Sequence, residues 1–167
     1  MRRLALIAGA LPAAMLALGV APALARDSLG VFGQWGAFRD PAVPRCYAIA
    51  MAEPSTMARD YQPFATIGHW PARGVRGQMH FRLSRRLSPA GAITLRIGGA
   101  RFELVGGGAD AWAADPRMDA AIVAALRSAE GMTVSARDAQ GRGFSNTWQL
   151  SGVATAIDAA AVGCARR

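Results

Sequence analysis

The chain has two cysteines, Cys46 and Cys164, separated by roughly 118 residues, and what such a pair does depends on the compartment in which the chain folds. The N-terminus supplies an address. Arg2 and Arg3 form a basic start, Leu4 to Val20 is apolar and rich in Ala and Leu, and Ala23-Leu24-Ala25 has the small-x-small pattern of a cleavage site. Pro12, Gly19 and Pro22 interrupt the run, which favours a cleaved leader over a retained anchor. Residues 1–25 therefore read as a secretory signal peptide, and residues 26–167 as one exported domain of ordinary size. In an oxidising compartment an even pair of cysteines is most simply a disulfide. Closing so long a loop stabilises the fold by about 4 to 5 kcal/mol in the chain-entropy account, and ties the C-terminus to an N-terminal hairpin. A redox pair would call for Cys-x-x-Cys and a zinc site for more ligands than two isolated cysteines.

Charge narrows the partners less than it first suggests. The formal net charge is +8, part of which belongs to Arg2 and Arg3. Every basic residue is Arg, which alongside the abundant alanine reads as a coding bias of the source rather than as a tuned surface. A basic exported domain favours anionic surfaces such as lipid headgroups or acidic glycans in a salt-dependent way, whereas an exported address argues against nucleic acid. No later stretch is long and apolar enough to suggest a transmembrane span.

Periodicity in the mature chain is mostly that of strands. Val31 to Phe38 and Arg45 to Met51 are strand-like and joined by a turn containing Asp40-Pro41 and Pro44. Glu53 to Arg73, with Pro54, Pro63 and Pro71, reads as a long connection. Met79, Phe81 and Leu83 then alternate with Gln78, His80, Arg82 and Ser84. Ile93, Leu95 and Ile97, the Gly98-Gly99 turn, and Phe102 and Leu104 make the clearest hairpin. Asp115-Pro116 opens a helix as N-cap and first helical residue, with Asp119 near its positive end; Met118, Ile122, Ala125, Leu126 and Ala129 form its apolar stripe until Gly131. Met132, Val134 and Ala136 resume the two-residue period, and Phe144, Trp148 and Leu150 line the returning strand. A last helix has Val153, Ile157, Ala160 and Cys164 on one stripe, which would point Cys164 inward.

Catalytic signatures are sparse. The glycine run at Gly106-Gly107-Gly108 is not followed by the Gly-Lys-Ser/Thr of a phosphate-binding loop. His69 lies in a Gly-His-Trp-Pro loop and His80 on the polar face of a strand; Ser84 or Ser145 near His80 lacks a nucleophile-elbow signature, and neither histidine belongs to a metalloprotease spacing. The bland alternatives are a packed or capping His69 and a solvated His80. Asp110, Asp115 and Asp119 are accounted for by a turn, an N-cap and a first helical turn. No cofactor or metal is expected. Trp35, Trp70, Trp112 and Trp148, with Phe32 and Phe38, would make an aromatic platform for a glycan or a peptide. The plain alternative is that Trp35 and Trp148 are core, as alternation predicts for Trp148, while Trp70 and Trp112 fall in loop-like sequence where exposed aromatics serve recognition. Arg82, Arg96 and Arg101 on strand polar faces would flank such a surface, the plain alternative being a solvated charged face. These five residues are the candidate binding surface.

The order of these elements carries a resemblance. Phe32-Gly33-Gln34-Trp35, a cysteine in the next strand, a hairpin, the run Asp119-Ala120-Ala121-Ile122-Val123-Ala124-Ala125-Leu126-Arg127, then MTVSARDAQG and LSGVATAID together resemble the invasion associated locus B family of exported bacterial proteins. Leu150-Ser151-Gly152 followed by Ala156 looks like that family's closing Leu-x-Gly-Phe-x-x-Ala element. The chain departs from the family at its cysteines: members commonly carry one soon after the FGxW tryptophan and a pair before the helix, where this chain has GGGADAWAAD, and Cys164 is its own. The resemblance implies a compact, β-rich, periplasmic or surface-exposed domain, linked in some pathogens to host-cell invasion and with no established enzymatic activity.

The expectation is an α+β, β-rich domain: an antiparallel β-sandwich or partly open barrel of about seven strands with two helices. Its expected role is that of a non-enzymatic periplasmic or secreted protein binding another envelope component, a protein or a glycan, including an anionic one. The alternatives are a small periplasmic hydrolase or inhibitor with a site near the two histidines, and a purely structural envelope factor.

Overall fold

The computed structural model describes residues 26–165; the predicted signal peptide, residues 1–25, lies outside them. Ten strands form one antiparallel sheet: β1 (Asp27–Phe32), β2 (Trp35–Asp40), β3 (Arg45–Met51), β4 (Phe64–Trp70), β5 (Val75–Arg82), β6 (Ile93–Ile97), β7 (Ala100–Gly107), β8 (Asp110–Trp112), β9 (Gly131–Arg137) and β10 (Gly143–Gln149). Two helices, α1 (Pro116–Leu126) and α2 (Val153–Ala165), complete it. The strand order is β1-β2-β3-β4-β5-β8-β7-β6-β9-β10, so the sheet is a meander except that β6 to β8 run in reverse order, which sets β8 beside β5 and β6 beside β9.

The expected seven strands become ten for identifiable reasons. Val31 to Phe38, read as one strand, is broken by a two-residue turn in which Gly33 has φ +58, a conformation that favours glycine. The expected connection from Glu53 to Arg73 contains β4, a central strand with neighbours on both sides. Its flanking Pro63 and Pro71 stand just outside the ladder, where a missing N–H costs nothing. Asp110 and Trp112, assigned to a turn and a loop, form the short β8.

Inward positions agree with the alternation. Met79, Phe81, Leu83, Leu95, Ile97, Met132 and Val134 are buried, and Phe81 meets Trp148 with ring centroids 5.4 Å apart. Trp35 and Trp148 are core residues as expected, at 0% and 1% exposure. Each satisfies its indole N–H on a carbonyl, Trp35 on Gln149 at 2.9 Å and Trp148 on Ala50 at 3.3 Å. These bonds, with that from the Glu53 N–H to the Thr147 carbonyl at 2.8 Å, bring the last strand back against β2 and the end of β3. The sheet thus curls around its core.

The closure is tightest where two sequence motifs meet. A side chain at Gly152 would strike the Phe32 carbonyl, and one at Gly33 would strike the Ser151 carbonyl. The Phe-Gly-Gln-Trp turn and the Leu-Ser-Gly turn therefore touch backbone to backbone, and both glycines also hold positive φ.

Each helix caps a different part of the sheet. Asp115 caps α1 as expected, its Oδ1 accepting from the Met118 N–H at 2.9 Å. Helix α1 lies on β5, and Asp119 is buried there, its Oδ1 accepting from the Met79 N–H at 2.8 Å. Helix α2 covers the inner side of β1 to β4 through Val153, Ala156, Ile157 and Ala160. Cys164 reaches inward and is bonded to Cys46 on β3, as the sequence suggested.

Two polar clusters enclosed by the fold are paired, around Ser84 and around Asp138. Ser84, buried after β5, gives its N–H to Asn146 Oδ1 and accepts from Asn146 Nδ2, each at 3.0 Å. Asp138 holds Arg85 and Arg142, both at 3.0 Å. Burial opposes ionisation of Asp138, but the Arg142 and Gln140 N–H groups and the two guanidinium groups outweigh it and lower its pKa. Among the described residues no helix is long and apolar enough to cross a membrane.

Candidate binding surface

The outward positions of β3, β4, β5, β8 and β7 line up in two rows. Strand register places Met51, Phe64, Arg82, Asp110 and Gly107 side by side in one, and Ile49, Thr66, His80, Trp112 and Val105 in the other. Their centre is a compact cluster. His80 Nε2 lies 2.9 Å from Asp110 Oδ1, and Arg82 Nε lies 3.2 Å from the same oxygen. The His80 ring stacks on Trp112 with centroids 5.2 Å apart, while Phe64 meets His80 edge-on at 5.7 Å. The Arg82 guanidinium sits over the Tyr61 ring, 5.5 Å from its centroid.

This arrangement follows from the pleat. Residues two apart share a face, so His80 and Arg82 both reach outward while Met79 and Phe81 fill the core. Strand β8 then places Asp110 beside Arg82 and Trp112 beside His80. Asp110 orients both the imidazole and the guanidinium, and Trp112, the imidazole and the Tyr61–Arg82 pair give the face flat, amphipathic surfaces. Met51, Tyr61, Val105 and Trp112 remain exposed, Trp112 at 36% and Val105 at 51%. Exposed apolar and aromatic side chains gathered around a fixed charge cluster make a surface able to bury area on a partner while offering hydrogen bonds.

Of the expected surface, Trp112 and Arg82 fall inside this cluster. Trp70 does not lie in a loop; it ends β4 and folds back over Gly68, where a Cβ would strike its ring. The same aromatic-over-glycine cover recurs with Phe38 on Gly36 and Phe32 on Gly30. Trp70 shares the outward face of β4 with Phe64 but is half-buried. Arg96 and Arg101 pair across the far end of the β6–β7 hairpin, where Arg101 is held by Glu103 at 2.8 Å. They lie along the same outer surface, beyond Val105.

His80 is therefore not simply solvated, and Asp110 is not simply a turn residue. Neither Tyr61, Phe64, Asp110 nor His80 was singled out for binding from sequence. The sequence signal that would have found them is the repeat of outward large side chains on strands whose pairing is non-local.

His69 is elsewhere. In the regular β3–β4 register it lies opposite Cys46, facing the end of α2, while the β4–β5 pairing shifts register between Gly68 and Trp70. Burial, and then the Arg76 charge, lower its pKa from the ordinary imidazole value. Ser84 is engaged with Asn146, and Ser145 is exposed on β10. Among the described residues no three His, Cys, Asp or Glu side chains come together as a metal-binding group.

No family model, curated protein or solved structure matches the chain.

Proposed function

We propose that this is an exported bacterial envelope protein of the invasion associated locus B type, periplasmic or secreted, that works without catalysis by binding another envelope or surface component. The observation that carries the reading is the outer-face cluster of His80, Arg82, Asp110 and Trp112 among exposed Met51, Tyr61 and Val105. A protein partner is favoured over a glycan, because aliphatic side chains flank the aromatic ones and Met, Tyr, Trp and Arg are the types enriched at protein interfaces. The disulfide supports an oxidising location. The curled antiparallel sheet supports the partly open barrel over the sandwich, and the contact between the Phe32–Trp35 and Leu150–Gly152 turns gives the motifs behind the family resemblance a common structural reason.

The small-hydrolase alternative rests on one specific feature, the His80–Asp110 pair with Thr66 directly across the ladder. An aspartate beside an imidazole is the orienting half of a nucleophile-activating array. Three observations weigh toward binding: Arg82 shares the aspartate oxygen, Trp112 covers the imidazole face, and His69 faces the opposite side of the sheet.

The test is in-cell photo-crosslinking from position 112, with position 101 on the distant hairpin end as the control. A single dominant protein captured from 112 and weakly or not from 101 supports the reading. Capture of a glycan would replace the partner class, and equal, diffuse labelling from both positions would overturn the surface assignment.

A further inference from the structure

A second feature lies on the opposite side of β4. A cavity of about 400 Å³ opens between the short helical turn Pro71–Arg73, the start of β5 and the C-terminal part of α2. Its walls are mainly apolar, with Pro71, Val75, Ala161 and Val162 prominent, and the size is that of ordinary small-molecule sites. The Cys46–Cys164 bond fixes its back wall, because Cys46 is the cross-strand neighbour of His69 and Cys164 lines the cavity from α2.

Two polar groups enter this apolar space. His69 Nε2 is buried and has no hydrogen-bond partner, a condition that costs free energy unless something fills it. Arg76 lines the same cavity and is exposed, and among the described residues it has no carboxylate partner. Burial disfavours an imidazolium at His69 and the Arg76 charge adds to this; that same positive charge favours an anion beside the neutral ring. A neutral imidazole can donate its N–H to an anionic oxygen, and a guanidinium takes a carboxylate in a two-pronged grip.

We propose that this cavity binds a small amphipathic carboxylate, with the carboxylate between His69 and Arg76 and the hydrocarbon body against Pro71, Val75 and Val162. The combination selects on both ends of the ligand. A short acid such as acetate has the charge without the apolar area, and an alcohol of the same chain length has the area without the charge.

The experiment titrates octanoate, octanol and acetate into the oxidised, mature protein, followed by amide chemical shifts. Octanoate is expected to bind saturably and shift the amides of His69, Val75 and Val162, with octanol and acetate each at least about tenfold weaker, as expected for loss of one charge-assisted contact set or of the apolar body. Arg76→Gln should weaken octanoate about tenfold. Val162→Trp, at an exposed position on α2, should block it by filling the mouth. His69→Phe should abolish the preference for octanoate over octanol while leaving thermal stability unchanged or raised, since the unpaired nitrogen is gone; a merely structural histidine would show no such loss of selectivity. Saturation by octanol equal to that by octanoate, an unchanged affinity in Arg76→Gln, or the absence of shifts at cavity residues would each overturn the proposal.

Discussion

Strands β4 and β5 present two faces with opposite obligations. Inward, Ala65, Ile67, Met79 and Phe81 are wholly enclosed, and each is specified by what it packs against. Outward, Phe64, Thr66, His80 and Arg82 are half-exposed, and the fold would tolerate small polar residues there. Instead the outer face holds two aromatic contacts to one imidazole, a carboxylate shared by that imidazole and a guanidinium, and the guanidinium over a tyrosine. Exposed pairs of this kind contribute little to stability, on the order of 0 to 1 kcal/mol each. The difference teaches that side chains fixed in place where stability gains little are better read as a surface made for contact than as reinforcement.

The comparison is broken most forcefully from the inside. Phe81→Ala removes a fully buried ring that meets Trp148, and is expected to lower unfolding free energy by about 3–5 kcal/mol. Urea denaturation of the oxidised protein measures it. A loss below about 1 kcal/mol would mean that the inner face is less tightly packed than its burial indicates, and the contrast between faces would lose its inner half.

The inner face was also the more legible one. Alternation at Met79, Phe81 and Leu83, the Gly98-Gly99 hairpin, the Asp115-Pro116 helix start and the inward Cys164 are local signals, each resolved within a few residues. Strand β4 escaped because Phe64-Ala65-Thr66-Ile67-Gly68-His69-Trp70 carries large side chains on both faces and prolines at both ends. Position 33 requires glycine because a side chain there would strike the Ser151 carbonyl, far away in sequence. The cluster was harder still. Asp110 meets His80 across a three-residue strand next to a triple glycine, a pairing decided by the position of β8 in the sheet and by nothing near Asp110 in sequence. Trp112 and Arg82 were legible as an outward aromatic and an outward cation, but their convergence was not. The cavity around His69 likewise depends on where α2 ends.

A middle case lies at the boundary between the faces, where Asp119 of α1 is buried against β5 and serves the fold through one hydrogen bond to Met79. Burial, partly offset by that bond and reinforced by Asp115, raises its pKa above the ordinary 3.8. The folded state therefore holds the proton more tightly than the unfolded chain. Below 3.8 both states are protonated and the carboxyl costs nothing; as pH rises through the folded value, a penalty for the buried charge develops and persists at neutral pH. Asp119→Asn keeps the Oδ1 acceptor and removes the charge, so it should be at least as stable as the parent at pH 7, with that advantage vanishing below pH 3.8. Asp119→Ala leaves the Met79 N–H unpaired and should cost about 1–3 kcal/mol. Thermal unfolding of both variants from pH 3 to 8 checks this. An Asn variant that is more destabilised at pH 7 than at pH 3 would show that the charge itself is favoured at this site.

The smallest stability effect and the sharpest functional one are expected together at Trp112. The side chain is 36% exposed, stacks on His80 and ends a short strand between β5 and β7, so Trp112→Ala should shift unfolding free energy by less than about 1 kcal/mol. At an interface the same truncation removes a large flat anchor, and such anchors commonly cost about 2 kcal/mol or more of binding energy, some thirtyfold in affinity. Val105→Ala, its neighbour across the ladder, should have a smaller effect on partner capture, and Arg101→Ala, on the distant hairpin end, none. A Trp112 variant that loses stability like Phe81→Ala but retains its partner would assign the tryptophan to the fold, and the outer face would then be reinforcement after all. Retained stability with lost capture would instead separate the two faces by function, because the residue would matter only when a second molecule is present.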